Sequence, residues 1–193
     1  MALTVTPLIN TTFYLLQKSG AQIEERALWQ LQKIAQEPTF QAAQLRQLPQ
    51  DAVLPINPIT LECDILESAV VIVEQSWFMR VGGLDERLPE EQQLWDLSLR
   101  LQGAKAKMVY LPYITVGYPK TEEIYTAQLS FKQQRANLCM ACKYGANIDI
   151  LRAWLLFKES CAGQRKNPWN EQLKILPQLV SLWIWRFSSA VLK

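Results

Sequence analysis

Cys139 and Cys142, a C-x-x-C pair inside LCMACKYGA, have a type and spacing that would suit a metal ion. A structural zinc site normally shows two such pairs, and the remaining cysteines, Cys63 and Cys161, stand apart. Read as a helix, the segment instead places both thiols on one face, where they pack as small apolar side chains. The chain has no histidine at all. That excludes Ser-His-Asp and Cys-His nucleophilic sites, His-ligated zinc or haem, and any imidazole base. None of the seven glycines falls at the spacing of a Walker loop or a G-x-G-x-x-G turn, which excludes a self-contained P-loop or Rossmann enzyme. What remains is carboxylate chemistry. Asp85 and Glu86 follow the pair Gly82-Gly83, and Glu90, Glu91 and Asp96 lie beyond Pro89. Asp96 stands four residues before Arg100, so it is either half of a helix-surface ion pair or an acid with work of its own.

The elements around these carboxylates are legible. AVVIVE (69–74) is a continuous β-branched run suited to a strand buried on both faces. SWFMRV gives one helical turn with Ser76 as N-cap, closed by Gly82-Gly83. A helix follows Pro89, with Leu94, Leu97 and Leu101 along one face, Trp95 beside them and Gly103 at its end. KMVYLPYITV (107–116) is a strand, and its Pro112 requires a sheet edge or the end of a ladder. Upstream, 1–20 reads as strand or loop, AQIEERALWQLQKIAQE and FQAAQLRQL as helices, PQDAVLPINP as a connection and ITLECDIL as a strand. After Gly117 the chain reads as helix over 122–145, 148–160 and 178–192. The division expected is a helical or irregular segment 1–58, a core 59–120 and a helical extension 121–193, an α/β fold.

Composition limits partners. A formal charge of +2 on 193 residues, 49% of them hydrophobic, describes a globular chain with no call for nucleic acid. MALTVTPLINTTFYLL lacks a basic leader and a small-residue cleavage site, so reduced thiols in the cytoplasm are expected. The segment 178–192 holds Trp183 and Trp185. At about 1.5 Å per residue it reaches roughly 22 Å, short of the ~30 Å hydrocarbon slab, and Arg186 would be costly there. It either docks on the protein or lies in a membrane interface as a peripheral contact.

Residues 69–112 carry a more specific pattern. Gly82, Gly83, Leu84, Asp85 and Glu86 form a G-G-L-D-E turn; Asp96, Leu97, Leu99, Arg100 and Leu101 end a helix as D-L-x-L-R-L; Val109, Tyr110 and Pro112 give a strand with Y-x-P. The order and spacing resemble the second, acceptor-side half of the family 2 glycosyltransferases of the GT-A fold. There a strand and short helix lead to G-G-[FL]-D-E, then to an E-D-x-D-L-x-x-R-L helix and a strand ending Y-x-P. The resemblance implies a partial GT-A-like mixed sheet with flanking helices, and transfer of sugar from a nucleotide-sugar to a sugar or lipid-linked acceptor. It implies Asp96 as the catalytic acid of the site, with Gly83, Asp85, Glu91 and Trp95 against the acceptor. A carboxylate would take the acceptor's proton, and a divalent metal on D-x-D would carry the departing diphosphate.

The departures from that pattern are equally specific. The family's Glu-Asp pair falls on Gln93 and Leu94, neither of which is a base. Glu90 and Glu91 stand two or three positions earlier. The five aspartates include no D-x-D, and residues 1–60 lack the opening strand with P-x-Y-N. No metal ligand or cofactor is therefore expected on this chain, although the family uses Mg²⁺ or Mn²⁺ with its nucleotide-sugar. Gln133-Gln134-Arg135 resembles part of the Q-x-x-R-W motif of processive members, and Tyr118 stands near the family's later histidine. The expectation is a truncated or degenerate glycosyltransferase-like protein, inactive alone, its nucleotide-binding half or a partner protein lying elsewhere. The alternative is a non-catalytic interaction module with a GT-A-derived fold.

Overall fold

The computed structural model describes residues 3–36, 38–49, 56–119, 127–145, 147–163 and 168–190. The chain forms two compact units, one of Met1–Asp85 with Gln93–Thr121 and one of Glu86–Gln92 with Glu122–Lys193.

The first unit is built on a mixed five-stranded sheet. In chain order its elements are β1 (Leu3–Pro7), β2 (Phe13–Lys18), α1 (Glu25–Gln36), β3 (Ala42–Leu48), β4 (Val70–Glu74), α2 (Gln75–Arg80), α3 (Glu90–Gly103) and β5 (Met108–Gly117), with α3 beginning in the second unit's short segment. The strand order is β1-β2-β4-β3-β5, and only the β3–β5 pair is parallel. β4 lies third of five, and Val70 to Val73 are fully buried, as its apolar run requires. The pleat sends alternate side chains to opposite faces. Val70 and Ile72 join Leu31 of α1, Phe13, Leu15 and Leu45. Val71 and Val73 join Phe78 of α2, Leu97 and Leu101 of α3 and Leu16. Each such side chain contributes about 1.5–3 kcal/mol by leaving water, so the two-sided packing of β4 is a principal source of the sheet's stability.

β5 is an edge strand, as Pro112 requires. Its pairing with β3 steps from Leu45–Leu111 to Arg46–Thr115, and the skipped residues include Pro112, which has no N–H to give.

Several expectations are corrected. FQAAQLRQL is not a helix: Ala42–Leu48 is β3, between β4 and β5. Alanine, glutamine and leucine favour helix locally, but here ladder pairing and burial of Ala42, Ala43 and Leu45 outweigh that preference. With β1 and β2, the segment expected to be helical or irregular thus supplies three of the five strands. ITLECDIL is not a strand. Leu61 takes φ 58°, the Asn57 carboxamide oxygen accepts from the Ile59 and Thr60 N–H groups, and only isolated bridges at Glu62 and Cys63 remain. Ser76 does not cap α2: Glu74 is the N-cap residue, without a side-chain cap bond, and Ser76 Oγ donates to Glu74 Oε1 at 2.6 Å.

The second unit is helical: α4 (Ala127–Tyr144), α5 (Asn147–Gly163) and α6 (Pro168–Ala190). α6 starts ten residues before the expected 178, with Pro168 in the first turn, where proline costs no hydrogen bond, and it runs through Pro177. Leu88, Leu138, Cys139, Cys142, Phe157, Cys161 and Leu182 are part of its core. The C-x-x-C pair is thus apolar packing, and burial pushes the Cys139 thiol up to about 12. All four cysteines are buried.

Candidate functional site

The candidate site is the turn from α2 into α3 and the helix behind it. α2 ends in a layered set of backbone bonds: Val81 N–H donates to the Trp77 carbonyl at 3.0 Å, Gly82 to Met79 at 3.0 Å and Gly83 to Phe78 at 2.8 Å. Reversing the chain this tightly requires left-handed backbone, and Gly82 and Gly83 take φ of 84° and 65°. A Cβ at Gly83 would also sit 3.2 Å from the Phe78 ring. Gly83 therefore serves the turn and its packing. Asp85 follows it, half-buried and engaged, and Glu86 is exposed.

Asp96 has no exposed surface. Its Oδ2 accepts from Arg100 Nε at 2.9 Å and from Arg100 Nη2 at 2.6 Å, while Arg100 Nη1 donates to the Val81 carbonyl. The carboxylate fixes the guanidinium, and the guanidinium ties α3 to the end of α2 just before the glycine turn. The i, i+4 pair legible in the sequence is present, and its tie to Val81 was not legible. Ser98 Oγ makes a second tie, donating to the Leu94 carbonyl and accepting from Leu66 N–H at 2.9 Å.

Trp95 is 39% exposed, while Gln92, Gln93, Leu94, Asp96, Leu97 and Ser98 around it are all buried. Gln93 and Leu94, in the positions where the motif puts Glu-Asp, are packed inside. Glu91 lies in the first turn of α3, and its side chain is outside those described. Gly83 and Asp85 share the turn, Trp95 and Asp96 share α3, and the Arg100–Val81 bond joins the two elements. In the second unit, Arg135 Nη2 donates to Gln178 Oε1 and Gln133 Nε2 to Asn137 Oδ1, so Gln133 and Arg135 are engaged within the helices.

Sequence reasoning passed over the polar cradle at the entrance to β4. Gln44 Oε1 accepts from Glu67 and Ser68 N–H, Gln47 Oε1 accepts from Ala69 N–H at 3.1 Å, and Lys18 Nζ donates to the Glu67 carbonyl at 2.7 Å. Burial lowers the Lys18 pKa against the opposing pull of Glu67. Glutamines in a strand carry no spacing signal, so nothing in the sequence marked them. Among the described residues, no group of three or more cysteine or carboxylate side chains is placed to hold a metal ion.

No protein-family model matches the chain, and no curated protein matches its sequence. Its fold is similar to that of the mannosyltransferase PcManGT from Pyrobaculum calidifontis, solved in complex with GDP-Man and Mn²⁺, with a TM-score of 0.51 at 12% identity. The match covers 91% of this chain and 62% of the other. The fold is glycosyltransferase-like. At that identity the likeness is one of architecture, a glycosyltransferase-like α/β sheet with flanking helices, and this chain spans less than two thirds of the mannosyltransferase's length.

Proposed function

We propose that the chain is a family 2, GT-A-type glycosyltransferase-like protein whose Gly82–Asp85 turn and α3 form the acceptor-facing wall of a sugar-transfer site, and that it is inactive alone. The donor class would be a nucleotide-sugar and the acceptor a sugar or a lipid-linked sugar. One observation carries the reading: a fold shared over 91% of the chain with a mannosyltransferase, in which the turn matching the family pattern feeds directly into α3. Trp95, exposed among buried neighbours, offers the ring face that sugars stack on, and Asp85 and Glu91 stand ten and four residues before it in sequence. Asp96 is read as the strut that holds this wall, because Arg100 occupies its Oδ2 and no solvent reaches it. The proton-accepting carboxylate and the diphosphate-binding groups would come from a partner or from another chain segment.

Titration of the chain with oligosaccharide and lipid-linked acceptors tests this. Binding that weakens at least tenfold in Trp95→Ala supports the wall, and binding indifferent to that change removes it. A second reading, a non-catalytic interaction module on the same fold, is favoured by the burial of Gln93, Leu94 and Asp96. It predicts no sugar binding at all, with a protein partner captured instead.

A further inference from the structure

The sheet of the first unit has two edges, and the chain treats them differently. β5 is covered at both ends. The Cys63 N–H donates to the Met108 carbonyl at 3.0 Å, the Tyr110 N–H to the Leu61 carbonyl at 2.8 Å, and Gln22 and Gly117 exchange two bonds of 2.7 and 2.9 Å. No such bond among the described residues covers β1, where Thr4, Val5, Thr6 and Pro7 are exposed. The ladder fixes which of its groups face outward. The Lys18 N–H donates to the Ala69 carbonyl, so Lys18, Leu16 and Tyr14 direct their backbone groups towards β4. Phe13, Leu15 and Gln17 then face β1, and the Leu8 N–H donating to the Phe13 carbonyl agrees. Across the register, Thr4 and Thr6 are the residues turned to β2, and Leu3, Val5 and Pro7 hold their backbone groups outward. Pro7 offers only a carbonyl.

An exposed row of unpaired backbone groups is a template for another strand. The outward groups of β1 are their own complement, which a foreign strand need not be. Antiparallel pairing about a twofold axis at Thr4 sets Leu3 opposite the second copy's Val5, and Val5 opposite its Leu3. Each outward N–H of these residues then meets an outward carbonyl, and Pro7 stands outside the paired residues. The stretch LTVTP carries no charge, so nothing in it repels its own copy. On one face Thr4 meets Thr4, a favourable cross-strand pair. On the other face Val5, 37% exposed, meets the second copy's Leu3, and Leu3 already packs against the core that contains Leu16. Pairing therefore carries one apolar layer from one copy into the next, by an isologous contact that closes on itself.

We propose that β1 pairs with β1 of a second copy, joining two five-stranded sheets into one. The proposal does not depend on the glycosyltransferase reading, and its test needs no activity. Four hydrogen bonds and two Leu–Val contacts make a small interface of the weak class, so association is sought at roughly 10–500 µM. Sedimentation equilibrium of the full chain should show monomer and dimer exchanging in that range. The Val5 N–H faces outward, so Val5→Pro leaves the β1–β2 bonds intact. It should weaken dimerisation at least tenfold with the far-ultraviolet circular dichroism unchanged. Thr4→Lys and Thr4→Glu each set like charges across the twofold axis. At low salt each alone should dimerise at least threefold more weakly than an equal mixture of the two. A chain that stays monomeric throughout overturns the proposal. So does a dimer indifferent to Val5→Pro, or a mixture of the Thr4 variants that associates no better than either alone.

Discussion

Replacing Asp96 by asparagine removes the charge that orients Arg100 and changes almost nothing else in shape. Asp96 is fully buried and the Arg100 side chain is 13% exposed. Two charge-assisted bonds converge on Oδ2, and a hydrogen bond to a charged group is worth about 1.5–3 kcal/mol. Breaking a buried ion pair from one side costs about 3–5 kcal/mol, because the partner is left charged and poorly solvated. Asparagine keeps one acceptor, so about 3 kcal/mol is expected, and Asp96→Ala belongs nearer 4–5. In a chain of this length 3 kcal/mol lowers Tm by about 6–12 °C. Urea unfolding followed by far-ultraviolet circular dichroism and tryptophan fluorescence measures it. The double variant Asp96→Asn/Arg100→Met should cost at least about 2 kcal/mol less than the two single changes together, since the second no longer strands a charge. An Asp96→Asn protein within 0.5 kcal/mol of wild type that has nevertheless lost a sugar-dependent activity would refute the reasoning, for the carboxylate would then be doing chemistry and not holding the turn.

The two turn glycines should separate. Gly82→Ala meets no atom within 4 Å and bears only the left-handed backbone, about 1 kcal/mol, whereas Gly83→Ala also meets the Phe78 ring and should cost about 2–3 kcal/mol by urea unfolding. Leu97→Ala, at zero exposure behind the turn, should cost about 2–5 kcal/mol in the same measurement. Burial raises both the Cys63 and the Cys139 thiol from 9.0 to about 12. The folded state therefore holds those protons more tightly than the unfolded one, and stability should fall as pH rises from about 9 towards 12. Replacing both cysteines by alanine should flatten that decline, and native protein at pH 8 should leave both thiols unmodified by iodoacetamide until urea exposes them. Nucleotide-sugar with Mn²⁺ should leave Tm unchanged, whereas a ligand at a hundred times its Kd would add about 2.7 kcal/mol and about 5–11 °C.

The parts of the fold written locally were readable in the sequence. A run of β-branched residues is stable only when both faces are covered, so AVVIVE announced the interior strand β4. A Gly-Gly pair at a helix end and a proline in a strand each permit few conformations, which fixed the α2 turn and the edge position of β5. β3 was illegible because AAQLRQL is made of helix formers, and only the strands beside it decide otherwise. ITLECDIL alternates as a strand does, yet the turn at Asn57 and the left-handed Leu61 take it out of the sheet. For the site, spacing gave the Asp96–Arg100 pair but not its burial, which comes from the packing around α3. Exposure also divides the apolar residues of α5, since Leu151 and Leu155 are about half-exposed while Ala153 and Phe157 are buried, a split that spacing alone does not show.

The most direct test of the central claim is a transfer assay with the purified chain alone. GDP- and UDP-sugars labelled in the sugar would be supplied with Mg²⁺ or Mn²⁺ and a panel of oligosaccharide and polyprenyl-phosphate acceptors. An acceptor-side wall without a donor site or a base should bind acceptor and transfer nothing. Label appearing on an acceptor, and vanishing with Asp96→Asn in a protein that remains folded, would contradict that account.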